Sequence, residues 1–202
     1  MPLAPSARAA GLVLAAGASA RMGQDKLLLE VGGEPLLRRA VREAVAAGLD
    51  PVVVVLAPGA EPARRALSGL ACEPVENPDP ARGQGSSLAA GLAALPVEVA
   101  AAVVVLPDMP RVTGAMLATL VERWRETGAS LVLSEYGTTV APPVLYARAL
   151  FPELVGAAGE HPGKAVVGRH RAVAEVVRWP LSALADVDTP ADLAAAGAEA
   201  ER

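Results

Sequence analysis

Residues 11–26 read GLVLAAGASARMGQDK, and the fold turns on how this stretch is read. Leu12-Val13-Leu14 is a short aliphatic run suited to a buried strand. It breaks into Ala15-Ala16-Gly17-Ala18-Ser19-Ala20, small residues that leave the backbone open to a ligand. Gly17 and Gly23 permit backbone angles that turn successive N–H groups toward one anion. Arg21 and Lys26 bring two cations to the far side of the same loop. Small side chains, exposed amides and two positive charges together describe a polyphosphate cradle.

Two familiar phosphate-binding patterns do not fit it. A dinucleotide site needs G-x-G-x-x-G, whereas Gly11, Gly17 and Gly23 stand six residues apart. A P-loop needs G-x-x-x-x-G-K-[ST], and no glycine here precedes lysine followed by serine or threonine.

Outward from this loop, strand-like and helix-like segments alternate. Leu27–Val31 reads as a short extended piece ended by Gly32-Gly33. A helix begins near Pro35, carries Leu36, Leu37, Ala40, Val41, Ala44 and Val45 on one stripe, and closes at Gly48. Val52–Leu56 and Val103–Leu106 are uniformly aliphatic, as parallel strands buried on both faces require. Further helices are expected over Glu61–Leu67, Ser87–Leu95, Thr113–Thr127, Arg148–Leu154 and Lys164–His170. Further strands are expected over Cys72–Val75, Leu131–Leu133, Pro143–Tyr146 and Val173–Val177, the last of them antiparallel. Asp186-Val187-Asp188-Thr189-Pro190 leads into a final helix with Pro190 in its first turn. Such alternation with short joins predicts one three-layer α/β domain over residues 1–202, with a mostly parallel sheet.

Composition narrows the partners. The chain has 202 residues, 52% hydrophobic but only 2% aromatic, so its core is aliphatic. A net charge of −4 argues against nucleic acid as a partner. No stretch is long and apolar enough to span a membrane, and the single Cys72 excludes an internal disulfide and suits a cytoplasmic setting, with Cys72 itself a packing residue. Sixteen of the 18 basic residues are arginine, so Lys26 and Lys164 stand out as the two places where a compact ammonium is used. His161 and His170 form no metal-ligating pair and read as single surface histidines.

Acidic residues complete the pattern. Asp108 follows the Val103–Leu106 strand, and ligands of open α/β sheets bind at such carboxyl ends. Ser86 and Ser87 stand at a helix start, where serines commonly cap the first amides.

The 11–28 stretch resembles the signature of the MobA-like nucleotidyltransferase family, L-A-A-G-x-S-x-R-M-G-x-x-K-L-L. Leu14, Ala15, Ala16, Gly17, Ser19, Arg21, Met22, Gly23, Lys26, Leu27 and Leu28 fall on it. Ser86, Ser87, Leu88, Gly91 and Leu92 match a second family segment that approaches the nucleotide base. Asp108 matches the L-x-D-x-P segment, and Asp186–Leu193 the closing D-[IV]-D-T-P-x-D-L. The resemblance implies a Rossmann-like nucleotidyltransferase fold that moves a nucleotidyl group from a nucleoside triphosphate and releases pyrophosphate. It implies nucleotide contacts from Leu14, Ala15, Ala16, Gly17, Ser19, Arg21, Lys26, Gly85, Ser86, Ser87 and Asp108. Of these, Arg21, Lys26 and Asp108 would be catalytic. The resemblance further implies Mg²⁺ as cofactor, on Asp108 and Asp188. L-A-A-G with K-L-L-L is similar to the branch that uses CTP with a molybdopterin-type phosphorylated acceptor and makes transient contact with molybdoenzymes. The guanylyl branch carries L-A-G-G, with glycine in place of Ala16. A non-catalytic nucleotide-binding or cofactor-handover protein on the same fold is the alternative of another class.

The chain also departs from the family pattern. Pro107 replaces a usual glycine beside Asp108. The acceptor-side G-H-P-x-L-F and G-D-x-G-A-R appear as Ala141–Tyr146 and Gly159–Lys164, with Glu160 and Lys164 roughly in place of aspartate and arginine.

Overall fold

The computed structural model describes residues 7–17, 26–157, 161–187 and 192. Seven strands form one sheet in the order β5-β4-β1-β6-β8-β7-β9. These are β1 (Arg8–Ala15), β4 (Val52–Leu56), β5 (Glu73–Glu76), β6 (Val99–Val105), β7 (Leu131–Tyr136), β8 (Thr139–Ala147) and β9 (Glu175–Trp179). A small antiparallel hairpin pairs β2 (Glu30–Val31) with β3 (Glu34–Pro35).

Every residue of β4 is buried, and so is every residue of β1 after Arg8. Successive side chains feed opposite faces, because strand residues alternate. Ala9, Val13 and Ala15 join Val52, Val54, Leu56, Val103 and Val105 in one cluster. Ala10, Leu12, Leu14 and Ala16 join Val53, Val55, Ala102 and Val104 in the other. Helices α1 (Leu36–Ala46), α2 (Glu61–Ala66) and α4 (Gly114–Thr127) cover the first face through Leu37, Val41, Ala63, Leu117 and Leu120. Helices α3 (Gln84–Ala94), α5 (Phe151–Gly156) and α6 (Pro162–His170) cover the second through Leu88, Leu92, Phe151, Leu154 and Val166. The three-layer α/β/α expectation holds.

Gly91 sets how closely α3 can approach. A Cβ at Gly91 would lie 2.2 Å from Leu12 Cδ1 and 2.8 Å from Val55 Cγ2, so only glycine lets the helix rest on β1 and β4 at this distance.

The expected antiparallel strand lies elsewhere. β9 runs parallel to β7, and β8 runs antiparallel to both β6 and β7. Connection length explains the difference. β8 returns from β7 through a tight turn at Gly137, whose φ of +63° suits glycine, and a tight turn reverses the chain. β9 is reached only after α5 and α6; it runs opposite to β8, the strand before it, and so lies parallel to β7. Leu27–Val31 is not one extended piece, because Lys26–Leu28 forms a 3-10 turn before the β2–β3 hairpin. The helix start predicted at Pro190 lies outside the described residues.

Candidate active site

Strand order reverses beside β1: the chain moves outward to β4 and β5, then returns to place β6 on the other side of β1. At such a switch point two loops leave adjacent parallel strands in opposite directions and open a crevice at their carboxyl ends. Ala15–Gly17 leaves β1 there, and Leu106–Pro110 leaves β6. Lys26 closes the gap between them: its Nζ donates to Asp108 Oδ2 at 3.1 Å, with side-chain exposures of 15% and 30%.

The Asp108 turn is held from several sides. Its carbonyl accepts from Val187 N at 2.9 Å, and Met109 N and Val112 N bond back to Leu106 O and Met109 O. Arg39 Nε on α1 donates to Pro110 O at 2.9 Å. Glu43 Oε2 accepts from Gly114 N at 2.5 Å, and Thr113 Oγ1 accepts from Met116 N, so α4 starts firmly beside the turn. Arg42 in turn pairs with both Glu34 and Glu43. The charged stripe of α1 thus anchors the loop that presents Asp108. Asp108 Oδ1 is buried and has no hydrogen-bond partner among the described residues. A carboxylate with one oxygen on an ammonium and the other unpartnered fits a ligand for Mg²⁺, which takes one or two protein carboxylates.

Of the stretch that the sequence predicts to be open to a ligand, Leu14, Ala15 and Ala16 are buried and Gly17 is exposed. A Cβ built on Gly17 would meet no described residue within 4 Å. Gly17 does not use the left-handed φ expected of it, so what it supplies is open space above the backbone. Ala16 is 2% exposed and packs in the cluster beneath α3. Its methyl therefore belongs to the core. Ser19, Arg21, Met22, Gly23 and Asp188 lie outside the described residues, as do Gly159 and Glu160.

The third wall comes from α3, which begins at Gln84, earlier than expected, with Gly83 at φ +86° as its N-cap. Gly85, Ser86 and Ser87 lie in its first turn and do not cap it. Asn77, 1% exposed at the end of β5, donates through Nδ2 to Ser86 Oγ at 2.9 Å and Ser87 Oγ at 3.1 Å. Its Oδ1 accepts from Asp79 N, and the Ser86 hydroxyl lies within reach of Asp79 O and Gly83 O. Sequence reasoning missed Asn77. A buried amide inside the Asn77-Pro78-Asp79-Pro80 turn was its available signal, because such a group must find partners.

In the Ala141–Tyr146 segment, where the family motif differs, Ser134 Oγ donates to Pro143 O at 2.7 Å and Tyr136 Oη to Pro142 O at 2.9 Å, fixing β8. Burial, with a smaller contribution from the charge of Asp186, pushes the Tyr136 phenol up to about 12. Burial also pushes the Tyr146 phenol far up. Lys164 is exposed on α6. His170 is no lone surface group: its Nε2 lies 2.7 Å from Glu153 Oε2, and Arg169 pairs with the same carboxylate. These bonds hold the Glu153 carboxyl below its ordinary range. Cys72 is half-buried against the core, and burial raises its thiol. Among the described residues no helix is long and apolar enough to cross a membrane, and no group of three or more His, Cys, Asp or Glu residues could hold a metal.

The MobA-like NTP transferase domain model matches residues 11–174. Purine catabolism protein PucB of Bacillus subtilis is 30% identical over 195 residues, covering 89% of this chain and 91% of that protein. A protein named "Probable molybdenum cofactor guanylyltransferase" in Mycobacterium avium is 31% identical over 198 residues, covering 96% and 97%. Rv0371c of Mycobacterium tuberculosis H37Rv shares the fold at TM-score 0.84 and 25% identity, covering 95% of this chain and 98% of that one. Its manganese complex matches at TM-score 0.75 and 26% identity, covering 94% and 97%. With its switch-point crevice between β1 and β6, this chain belongs to the MobA-like NTP transferase family and is a nucleotidyltransferase of that kind.

Proposed function

We propose that the protein transfers CMP from CTP to the phosphate of a molybdopterin-type acceptor. An acceptor phosphate oxygen forms a bond to the α-phosphorus, the bond from that phosphorus to its bridging oxygen breaks, and pyrophosphate leaves. The observation that carries this reading is the Lys26–Asp108 pair spanning the carboxyl ends of β1 and β6.

Lys26 and Arg21 hold the triphosphate by charge-assisted bonds, and the amides of Ala15–Gly17 donate to its oxygens. Gly85, Ser86 and Ser87 face the nucleoside, with Asn77 fixing both hydroxyls. Asp108 and Asp188 would hold Mg²⁺, which would supply charge neutralisation at the α-phosphate and the pyrophosphate leaving group. The manganese complex of Rv0371c supports a divalent cation here. Positioning and electrostatics carry the reaction, without a covalent enzyme intermediate.

The L-A-A-G and K-L-L-L segments support cytidine. The name of the Mycobacterium avium relative supports guanosine. Incubating the protein with Mg²⁺, each nucleoside triphosphate and molybdenum-loaded molybdopterin, and following pyrophosphate, separates the readings. Release with CTP supports the cytidylyl reading, and release with GTP alone replaces it by the guanylyl one. Tight nucleotide binding without release would identify a handover protein.

A further inference from the structure

We propose that the Lys26–Asp108 pair is a latch that a nucleoside triphosphate opens for the divalent cation, an inference that rests on the reading above. Both groups belong to the ligand-binding set, yet the chain joins them to each other at 3.1 Å. An ammonium donating into Asp108 Oδ2 and a cation seated on that oxygen exclude one another. Their charges repel, and the lone pairs facing the crevice are shared. The partial burial of both side chains strengthens the pair, because solvent competes with it less. The other oxygen, Oδ1, is buried without a hydrogen-bond partner among the described residues, so the pair leaves Asp108 half satisfied. A triphosphate offers Lys26 several anionic oxygens in place of one. Once the ammonium turns to them, Oδ2 is released toward the crevice and can take the cation, while Oδ1 stays buried. The cation therefore enters with or after the nucleotide, and its affinity for the protein alone is weak. Pinning of the Asp108 backbone by Val187 and of Pro110 by Arg39 means that the lysine moves, while the aspartate stays.

The protein carries two lysines, Lys26 and Lys164, so isotopic labelling of lysine gives two side-chain ammonium signals. Lys26→Met identifies the one that belongs to the latch. In the full-length wild-type chain, CTP or GTP added in the presence of EDTA should shift the Lys26 signal and leave that of Lys164 in place. Mn²⁺ titrated without nucleotide should bind roughly tenfold more tightly to Lys26→Met than to wild type, the loss expected when one charge-assisted bond no longer competes. Mg²⁺ driven onto wild type without nucleotide should displace the same Lys26 signal. Calorimetric nucleotide binding with an unmoved Lys26 signal would overturn the latch and leave the nucleotide site intact. Mg²⁺ bound beside an unmoved Lys26 signal, or Lys26→Met with unchanged Mn²⁺ affinity, would overturn it too. If no nucleoside triphosphate binds at all, the latch and the functional reading fall together.

Discussion

The two halves of the sheet use polar residues in opposite ways. In β1, β4 and β6 the interior is alanine, valine, leucine and one glycine, and every charged group of the site hangs from the loops beyond. In β8, β7 and β9 the sheet itself contains Ser134, Tyr136, Tyr146 and Trp179, with hydroxyls of the first two bonded to prolyl carbonyls. The first half is an apolar platform whose rim carries the Lys26–Asp108 pair. The second buys the shape of its surface with hydrogen bonds inside the layer. Substitutions at the rim of the first half should therefore change turnover at constant stability, and those inside the second should change stability first.

The largest effect expected from this contrast is at Asp108. Asp108→Asn keeps the shape and removes the charge, so turnover should fall about 10²–10³-fold, as when one transition-state partner is lost, while the melting temperature barely moves. An unchanged Mg²⁺-dependent rate would show that the metal site has been misplaced. Lys26→Ala should weaken nucleotide binding or turnover at least about tenfold through loss of a charge-assisted bond. Steady-state kinetics with CTP check this, and full activity would remove Lys26 from the site.

Gly91 tests the platform itself. Gly91→Ala places a methyl 2.2 Å from Leu12 Cδ1 and should cost about 1–3 kcal/mol in urea denaturation, the usual range for overpacking. A neutral result would mean that α3 rides on the sheet more loosely than its packing indicates.

The tyrosines of the second half give the smallest effects and the sharpest distinction. Tyr136→Phe removes a buried 2.9 Å bond and should cost about 1 kcal/mol. Tyr146→Phe removes only a 3.5 Å contact to Gly163 O and should cost less than about 0.5 kcal/mol, because bonds of that length are weak. Tyr136 also predicts a pH dependence. Its folded pKa, near 12, lies above the ordinary value of 10.0, so its stabilising contribution is complete below pH 10 and is lost as pH rises toward 12. Tyr136→Phe should flatten the alkaline limb of a stability profile over that window.

The same contrast explains what could be read from sequence. β1, β4 and β6 are legible because burial on both faces leaves no option but aliphatic runs, and the Gly11–Lys26 stretch is legible because so many of its residues fall on the family signature. The position of Asp108 at the rim of the sheet followed from its place after such a run. β8 and β9 were harder. Their directions depend on the turn at Gly137 and on the crossover through α5 and α6, which are properties of the path between strands and leave little mark in Thr139–Ala147 or Glu175–Trp179 themselves. Asn77 escaped because its role exists only once β5 and α3 meet. Ser86 and Ser87 pointed correctly to a helix start, but their partner across space turned capping hydroxyls into acceptors for a buried amide.

The bond from Val187 N to Asp108 O ties the rim of β6 to a segment translated much later. Val187 is also 1% exposed against Val31 and Leu36, so the same residue joins the β2–β3 hairpin and the start of α1 to the Asp108 turn. One amide and one small side chain thus tie three stretches far apart in sequence, and a change at Val187 is felt at Asp108 without any contact to its carboxylate.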